Sequence, residues 1–492
     1  MSAMSRPVDE QTGSPPAVPE AHPRLAVTVL CAAGIVVALM QTIIVPLIPQ
    51  LPVLLDAAPS DTSWALTITL LVGAVITPIG GRLGDMYGKR VMLLASMGCV
   101  ALGSVVCALS ASLLPFLIGR ALQGLGFGTI ALGISVMRDI VPPRHLGSSV
   151  GTMSASLGVG GALGLPFAAA IAQHVSWHAL FWACAAAAVT AGVGIAFTVP
   201  QSRSRTGGRF DLFGALGLAT ILSCLLLPLS KGSVWGWGDP LTVGLLVAFV
   251  AAAIGWWIVE RRRTNPLIDL SLAVERPVLL TNIASVATGF AFYSMQLIPI
   301  QLLMAPSSSP NGLGLDMLTA SLVLAPSGLL MFVFSHVSAH LTRAFGPRVS
   351  LATGGAVIGV GYVVFIIAIA GSWELAWWVM LIVACLIGAG LGIAYSAMPA
   401  LIMRAVRVEQ TGEANGVNAL MRVVGTSTSA AVVGMILTWS MITVAGPDGG
   451  SVTVPAEGGY LWASAISLGA CALAAALALA IPPSRPLFVE EV

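Results

Sequence analysis

Gly81-Arg-Leu-Gly-Asp-Met-Tyr-Gly-Lys-Arg90 is the stretch that decides the fold. One long apolar run, residues 64–80, precedes it and another, 91–109, follows. Gly81, Gly84 and Gly88 permit a tight turn and close backbone approach, and Arg82, Lys89 and Arg90 make that turn basic. A basic turn alone has no need of Asp85. Its carboxylate can pair with Lys89 or Arg90, or sit at the N-terminus of a helix. A degenerate copy, Ala339-His-Leu-Thr-Arg-Ala-Phe-Gly-Pro-Arg348, lies 258 residues downstream, with Leu341, Gly346 and Arg348 in place of Leu83, Gly88 and Arg90. The chain therefore reads as two related halves with extra helices between them. Two repeats packed about an axis along the membrane normal place a substrate site at their interface.

Outward from this motif, composition fixes the solvent. Of 492 residues, 57% are hydrophobic and 9% charged, against roughly 25% charged in a soluble domain. So few charges cannot cover a water-facing surface, and the natural solvent is lipid. The net charge of +2 gives no case for nucleic acid. A span needs about 20 apolar residues to cross about 30 Å of hydrocarbon. Fourteen runs qualify, and they are predicted as helices 1 to 14: 25–47, 64–80, 91–109, 113–136, 148–173, 177–199, 212–229, 240–259, 278–304, 317–337, 349–371, 376–403, 414–441 and 459–481. Trp235, Trp237 and Lys231 read as a short turn between helices 7 and 8. Residues 1–24 form a polar, Pro-rich tail and 482–492 a second one. The first apolar run is too long for a signal-peptide core, and no A-x-A pattern follows it.

Charge sets the orientation. With the N-terminus inside, 19 of the 22 Lys and Arg fall in the tails and alternate loops, Arg203, Arg205, Arg209 and Arg261–Arg263 among them. The opposite loops hold Lys231 alone, and Arg120 and Arg422 lie within spans. The positive-inside rule then expects both termini in the cytoplasm. All seven cysteines fall in apolar runs and no CxxC occurs, so small packing residues are expected rather than disulfides or zinc ligands. His174 and His178 stand at metal-ligand spacing but lack a third ligand, and Trp177 and Phe181 around them suit a membrane interface. No metal is expected.

The motif Gly81-x-Leu83-Gly84-Asp85-x-x-Gly88-Lys89-Arg90, between predicted helices 2 and 3, resembles the loop 2–3 signature of the major facilitator superfamily. Phe116-x-x-x-Arg120-x-x-Gln123-Gly124-x-Gly126 is similar to the family's helix 4 motif, and Gly160-Gly-Ala-Leu-Gly164-Leu-Pro166 resembles its helix 5 antiporter motif. Fourteen spans, with Trp64 heading helix 2, are similar to the drug:proton antiporter branch. The resemblance covers nearly all of the chain beyond residue 24. It implies an all-α membrane protein of major facilitator fold, with six-helix bundles at 25–199 and 278–481 and two linker helices at 212–259. It further implies proton-coupled efflux of small hydrophobic drugs or antibiotics across a bacterial cytoplasmic membrane, by rocking of the bundles. Export of an endogenous metabolite or anion is the alternative. A membrane enzyme or receptor is the different-class alternative, but no nucleophile–base pair, zinc cluster or sizeable soluble domain supports it, and no GxxxxGK[ST] loop supports ATP as the energy source. A functional monomer is expected, meeting lipid, substrate and protons, without cofactor.

On the family pattern, Asp85 would lie by the start of helix 13, so that Gly81, Leu83, Asp85, Gly88, Lys89 and Arg90 latch the two halves. An intramembrane Arg such as Arg120 needs a partner or a wet cavity, and Gln123 shares its face. In helix 5, Gly160 and Gly164 allow close packing and Pro166 bends the axis, although Leu165 precedes the proline and Ala169 and Ala170 replace the family's glycine pair. Asn415, Asn418, Arg422, Thr426 and Ser429 fall on one arc of about 80°, lining either a cavity or a helix interface. Tyr293 and Gln296 give helix 9 a smaller polar face.

One departure bears on coupling. The branch has an Asp in helix 1, where this chain reads Leu39-Met40-Gln41-Thr42 and leaves Gln41 as the nearby polar group. All 20 acidic residues fall in tails, loops or helix ends. A proton carrier is then expected at the outer rim, Asp61 ahead of Asp56, or at His336. The alternatives are a helix N-cap for Asp61 and a core position for His336. Arg120 and Arg422 bias the cavity toward neutral or anionic substrates.

Overall fold

The computed structural model of the chain describes residues 23–44, 47, 51–62, 64–201, 210–263, 267–371, 375–445 and 450–482. Both tails, apart from their innermost residues, and the loop with Arg203, Arg205 and Arg209 lie outside the described residues. Among the described residues, fourteen helices are long and apolar enough to cross a membrane. Helices 1 to 6 are Pro23–Thr42, Trp64–Tyr87, Lys89–Leu109, Leu113–Ile140, Pro143–His174 and Trp177–Thr198. Helices 7 and 8 are Leu212–Trp235 and Pro240–Glu260. Helices 9 to 14 are Arg276–Met304, Met317–Phe345, Pro347–Ala370, Trp377–Ala405, Val408–Trp439 and Glu457–Ala480.

Several ends differ from the sequence reading. Helix 2 runs on to Tyr87 and stops where Gly88 takes φ 114°, a conformation that favours glycine. Helix 7 extends through Lys231 and Trp235, leaving only Trp237 in the turn. The reason is local packing: the Lys231 ammonium stands 4.8 Å above the Trp64 ring, and Trp237 covers Gly232. Helix 13, expected to reach residue 441, ends at Trp439. Beyond it Met441–Ala445 (β1) and Ser451–Pro455 (β2) pair antiparallel, Ile442 opposite Val454 and Val444 opposite Val452. The consecutive β-branched residues Ile442, Thr443 and Val444 and Val452, Thr453 and Val454 suit such a ribbon.

Helices 1 to 6 form one bundle and helices 9 to 14 the other. Each has its own apolar core, one including Leu30, Met97, Phe116 and Phe181, the other Met331, Tyr362, Phe365 and Tyr395. Between bundles, helix 2 packs on helix 13 and helix 5 on helices 10 and 12. Lipid offers no hydrophobic drive for such contacts, so small residues that let backbones approach carry them. A Cβ added at Gly328 would lie 2.6 Å from the Gly158 carbonyl oxygen, and one at Gly81 2.4 Å from that of Gly412. Helix 7 wedges against helices 2 and 13 through Leu218, Leu222 and Leu226, which meet Ala74 and Leu420. Helix 8 touches little besides helix 7, and its exposed Val243, Val247, Val250 and Ile254 are left to the bilayer.

Candidate functional site

Where helices 2 and 13 meet at the basic ends of the spans, polar groups of both bundles lock together. Asp85 is 2% exposed, and its Oδ2 accepts the Glu413 backbone N–H at 3.0 Å. Glu413 lies in the first turn of the α-helix Thr411–Trp439, where backbone N–H groups lack intrahelical partners and carry partial positive charge. A carboxylate of one bundle thus caps a helix of the other. Gly412 makes room for it, since a Cβ there would stand 2.7 Å from Asp85 Oδ1. Arg82 adds an ion pair to Glu413 Oε2 at 3.2 Å.

Arg138, near the end of helix 4, completes the junction. It donates to the carbonyl oxygens of Met403 at 2.9 Å, Val406 at 3.2 Å and Arg407 at 3.3 Å, and to Thr411 Oγ1. Its fork of donors satisfies carbonyls at the C-terminal end of helix 12 that have no helical partner. The linker joins too: Glu413 Oε1 accepts the Asp269 N–H at 2.7 Å, and Glu260, ending helix 8, accepts from Leu267 at 2.5 Å and Ile268 at 3.1 Å. Of the residues the motif singled out, Gly81 and Asp85 cross the seam. Lys89 instead pairs with Asp139 at 2.8 Å inside its own bundle, Arg90 donates to the Ala196 carbonyl of helix 6, and partly buried Leu83 and Gly88 shape the turn. Glu413, Arg138 and Asp269 escaped the sequence reading.

The interior separates the two buried arginines. Arg120 is fully buried, and its hydrogen bonds stay within its own bundle. Its Nε donates to the Ala65 carbonyl at 3.1 Å, and its Nη1 to the Met40 carbonyl at 3.1 Å and Gln123 Oε1 at 2.6 Å. Gln123 passes the chain on to Ser104 Oγ at 2.8 Å. Helix 1 ends at Thr42, so the Met40 carbonyl is one of its terminal acceptors, and Arg120 caps that end. Its partners are carbonyl dipoles of helices 1 and 2, not an acid.

The stripe on helix 13 is largely a seam with helix 9. Asn418 Nδ2 donates to Asn282 Oδ1 at 3.0 Å and Ser285 Oγ at 2.7 Å, Ser429 meets Ser294 at 2.8 Å, and Asn415 and Thr426 bond backward along their own helix. Arg422 stays apart from this network. On helix 5, Gly160 and Gly164 turn to helix 1, against Ala38 and Thr42, while Gly158 and Ala162 turn to Met331 and Gly328 of helix 10. Pro166 lies within the continuous helix 5. A narrow crevice of about 10 Å³, room for about one water molecule, lies between the bundles, lined by Gly158, Phe292, Gln296, Met331 and Leu391 among others.

The remaining candidates stand elsewhere. Gln296 approaches Gly161 and lines the crevice, and Tyr293 and Gln41 are partly buried without lining it. His336 is exposed, not a core residue: it lies 3.4 Å from Thr152 Oγ1 of helix 5 and tilts against Phe332. Exposed Asp61 sits in the short helix Pro59–Thr62, within electrostatic reach of Lys231, while Asp56 adopts φ 47°. The His174 side chain lies outside the described residues.

This geometry is that of a two-bundle transporter shut at its basic side. The Major Facilitator Superfamily profile matches residues 30–430, and the chain belongs to that superfamily. It is a multi-pass membrane transporter and not an enzyme. The chain is 28% identical over 425 residues to the tetracenomycin C resistance and export protein of Streptomyces glaucescens, covering 82% of this chain and 74% of that one. With the multidrug resistance protein Stp of Mycobacterium tuberculosis it shares 26% identity over 382 residues, 76% of this chain and 68% of Stp. An uncharacterised MFS-type transporter of the same organism is 28% identical over 415 residues, 83% of this chain, which spans 58% of that protein's length. The proton:xylose symporter XylE superposes with a TM-score of 0.65 over 94% of this chain and 96% of its own, at 14% identity, a likeness of fold alone.

Proposed function

We propose that the chain exports small, largely apolar molecules, drugs or antibiotics among them, from the bacterial cytoplasm by proton-coupled rocking of its two bundles. The junction of Asp85, Arg82 and Arg138 with the helix 12–13 region carries this reading. It is built from hydrogen bonds and one ion pair, which part at modest cost when water enters. With the basic side in the cytoplasm, parting it would open the apolar crevice to the cell interior. The export direction and drug class draw on the names of the Streptomyces and Mycobacterium relatives. Transport is by a monomer, and the proton carrier is Asp61, Asp56 or His336, since among the described residues no carboxylate lies in the middle third of a span.

The test is a susceptibility and accumulation screen in an efflux-deficient host, followed by proteoliposomes under an imposed pH gradient. Lower accumulation of a compound with wild type than with Asp85→Asn, and acceleration by the gradient that Asp61→Asn, Asp56→Asn or His336→Gln blunts, are expected. Accumulation independent of the protein across the panel would refute export. Gradient-driven transport untouched by all three changes would refute the carriers.

Export of an endogenous anion is the second reading, and the surroundings of Arg422 favour it.

A further inference from the structure

The two arginines buried in the interior are held differently. Arg120 is anchored by three hydrogen bonds to helices 1, 2 and its own, and its Nη2 alone is left without a partner. Arg422 is 8% exposed, yet its Nη1 has no hydrogen-bond partner and it joins none of the ion pairs among the described residues. Its guanidinium carbon instead stands 5.1 Å from the centre of the Tyr395 ring. It lies eleven residues beyond Thr411, hence about 16 Å along helix 13, roughly half the depth of the hydrocarbon. A buried cation with unmet donors is costly. A cation–π contact offsets only a part of that.

Arg422 and Tyr395 do not line the crevice themselves and are joined to it through Phe292. Tyr395 packs on Phe292 with ring centroids 5.9 Å apart, and Phe292 lines the crevice together with Gln296, Met331 and Leu391. Gly289 holds helix 9 close to this point of helix 13, since a Cβ there would come within 2.5 Å of the Arg422 carbonyl oxygen. The cation, two aromatic faces and an apolar crevice thus run in sequence along helices 13, 12 and 9.

We propose that Arg422, behind the rings of Tyr395 and Phe292, is the residue that recognises the cargo's charge, and that the molecules carried are organic anions with a flat aromatic body, carboxylates or phenolates. A carboxylate would take the free guanidinium donors, a charge-assisted pairing that planar Arg suits better than Lys. Its ring would stack on Phe292 and Tyr395, and methionine adapts to varied apolar bodies. This assignment rests on the export reading and narrows its substrate class.

The test uses the full chain, purified in lipid nanodiscs, and calorimetric binding of three probes with one ring system: 2-naphthoate, 2-naphthamide and protonated 2-(aminomethyl)naphthalene. Wild type is expected to bind the naphthoate at least about tenfold more tightly than the amide or the amine. Arg422→Gln should erase that preference while changing amide affinity by less than about twofold, and Arg422→Lys should retain part of it. Equal affinities in wild type, preference for the amine, no saturable naphthoate binding, or an undiminished preference in Arg422→Gln would each overturn the assignment. Should Arg422→Gln fail to fold, the probe series on wild type and Arg422→Lys still decides. Binding needs no gradient, so an export failure in cells beside intact naphthoate selectivity would refute export and leave the site standing.

Discussion

Arg82 and Glu413, 331 residues apart in the chain, meet at 3.2 Å across the seam between helices 2 and 13. Among the described residues no other ion pair joins the two bundles. Their side chains are 15% and 4% exposed, so water screens the pair only in part. The second oxygen of the same carboxylate holds the Asp269 N–H. Glu413 therefore cannot leave Arg82 without either carrying the linker along or releasing it.

Arg82→Gln should loosen the junction without unfolding either bundle. A partly screened pair contributes on the order of 1 kcal/mol, which is about a fivefold shift in the open population. Hydrogen exchange across Thr411–Gly416 should quicken by that factor, and the addition of Glu413→Gln to Arg82→Gln should add little. Additive effects of the two changes would show that the residues act separately.

Asp85 offers a graded series. Asn keeps an acceptor for the Glu413 N–H but loses the charge, whereas Ala loses both. Loss of an N-cap costs about 0.5–2 kcal/mol, or roughly 2- to 30-fold in population. Transport should fall in the order wild type, Asp85→Asn, Asp85→Ala, with membrane insertion and expression near normal. Wild-type rates in Asp85→Ala would remove the cap from the mechanism.

Adjacent glycines give a matched control. A Cβ at Gly80 meets nothing within 4 Å, while one at Gly81 meets the Gly412 carbonyl oxygen at 2.4 Å. Gly80→Ala should transport normally, and Gly81→Ala should force helix 2 from helix 13 and abolish most activity. Equal behaviour of the two variants would contradict the close approach.

Arg120 should reveal itself as a fold residue. Arg120→Gln removes donors to the Met40 and Ala65 carbonyls, each bond from a charged donor contributing about 1.5–3 kcal/mol. Thermal unfolding in detergent should show a large loss for Arg120→Gln and a smaller one for Gln123→Ala. A variant with wild-type melting but lost transport would return Arg120 to the substrate path.

Reporter fusions test the orientation. An alkaline phosphatase at Val492 or next to Arg262 should be inactive, and a cytoplasmic reporter active, if the basic side faces the cytoplasm. Phosphatase activity at either site would reverse the assignment.

The legible parts of this molecule are those written locally. Gly81, Asp85 and Gly88 stand within one turn and its flanks, so their spacing betrays the motif. Glu413 and Arg138 belong to the same junction but sit in ordinary surroundings, and only folding brings them to helix 2. Periodicity placed Asn418 and Ser429 on one face without telling whether helix 9 or a cavity covers it, since an arc has no depth. Arg120 read as a pathway residue because an isolated buried charge looks alike whether carbonyl oxygens or substrate answer it. The hairpin of β1 and β2 lies almost wholly in the segment between the predicted helices 13 and 14, which reads only as a connection.

The wedge of helix 7 makes the two seams unlike. Between helices 2 and 13, Leu218, Leu222 and Leu226 stand between the seam and the lipid. Among the described residues, neither linker helix packs extensively on the seam between helices 5 and 10, and there His336 is left exposed beside Thr152. For a compound already dissolved in the bilayer, the molecule therefore has a front and a back. Sideways passage toward the centre is obstructed from one direction by three leucines, and from the other by the close fit of helices 5 and 10, with Gly158 and Ala162 against Met331 and Gly328.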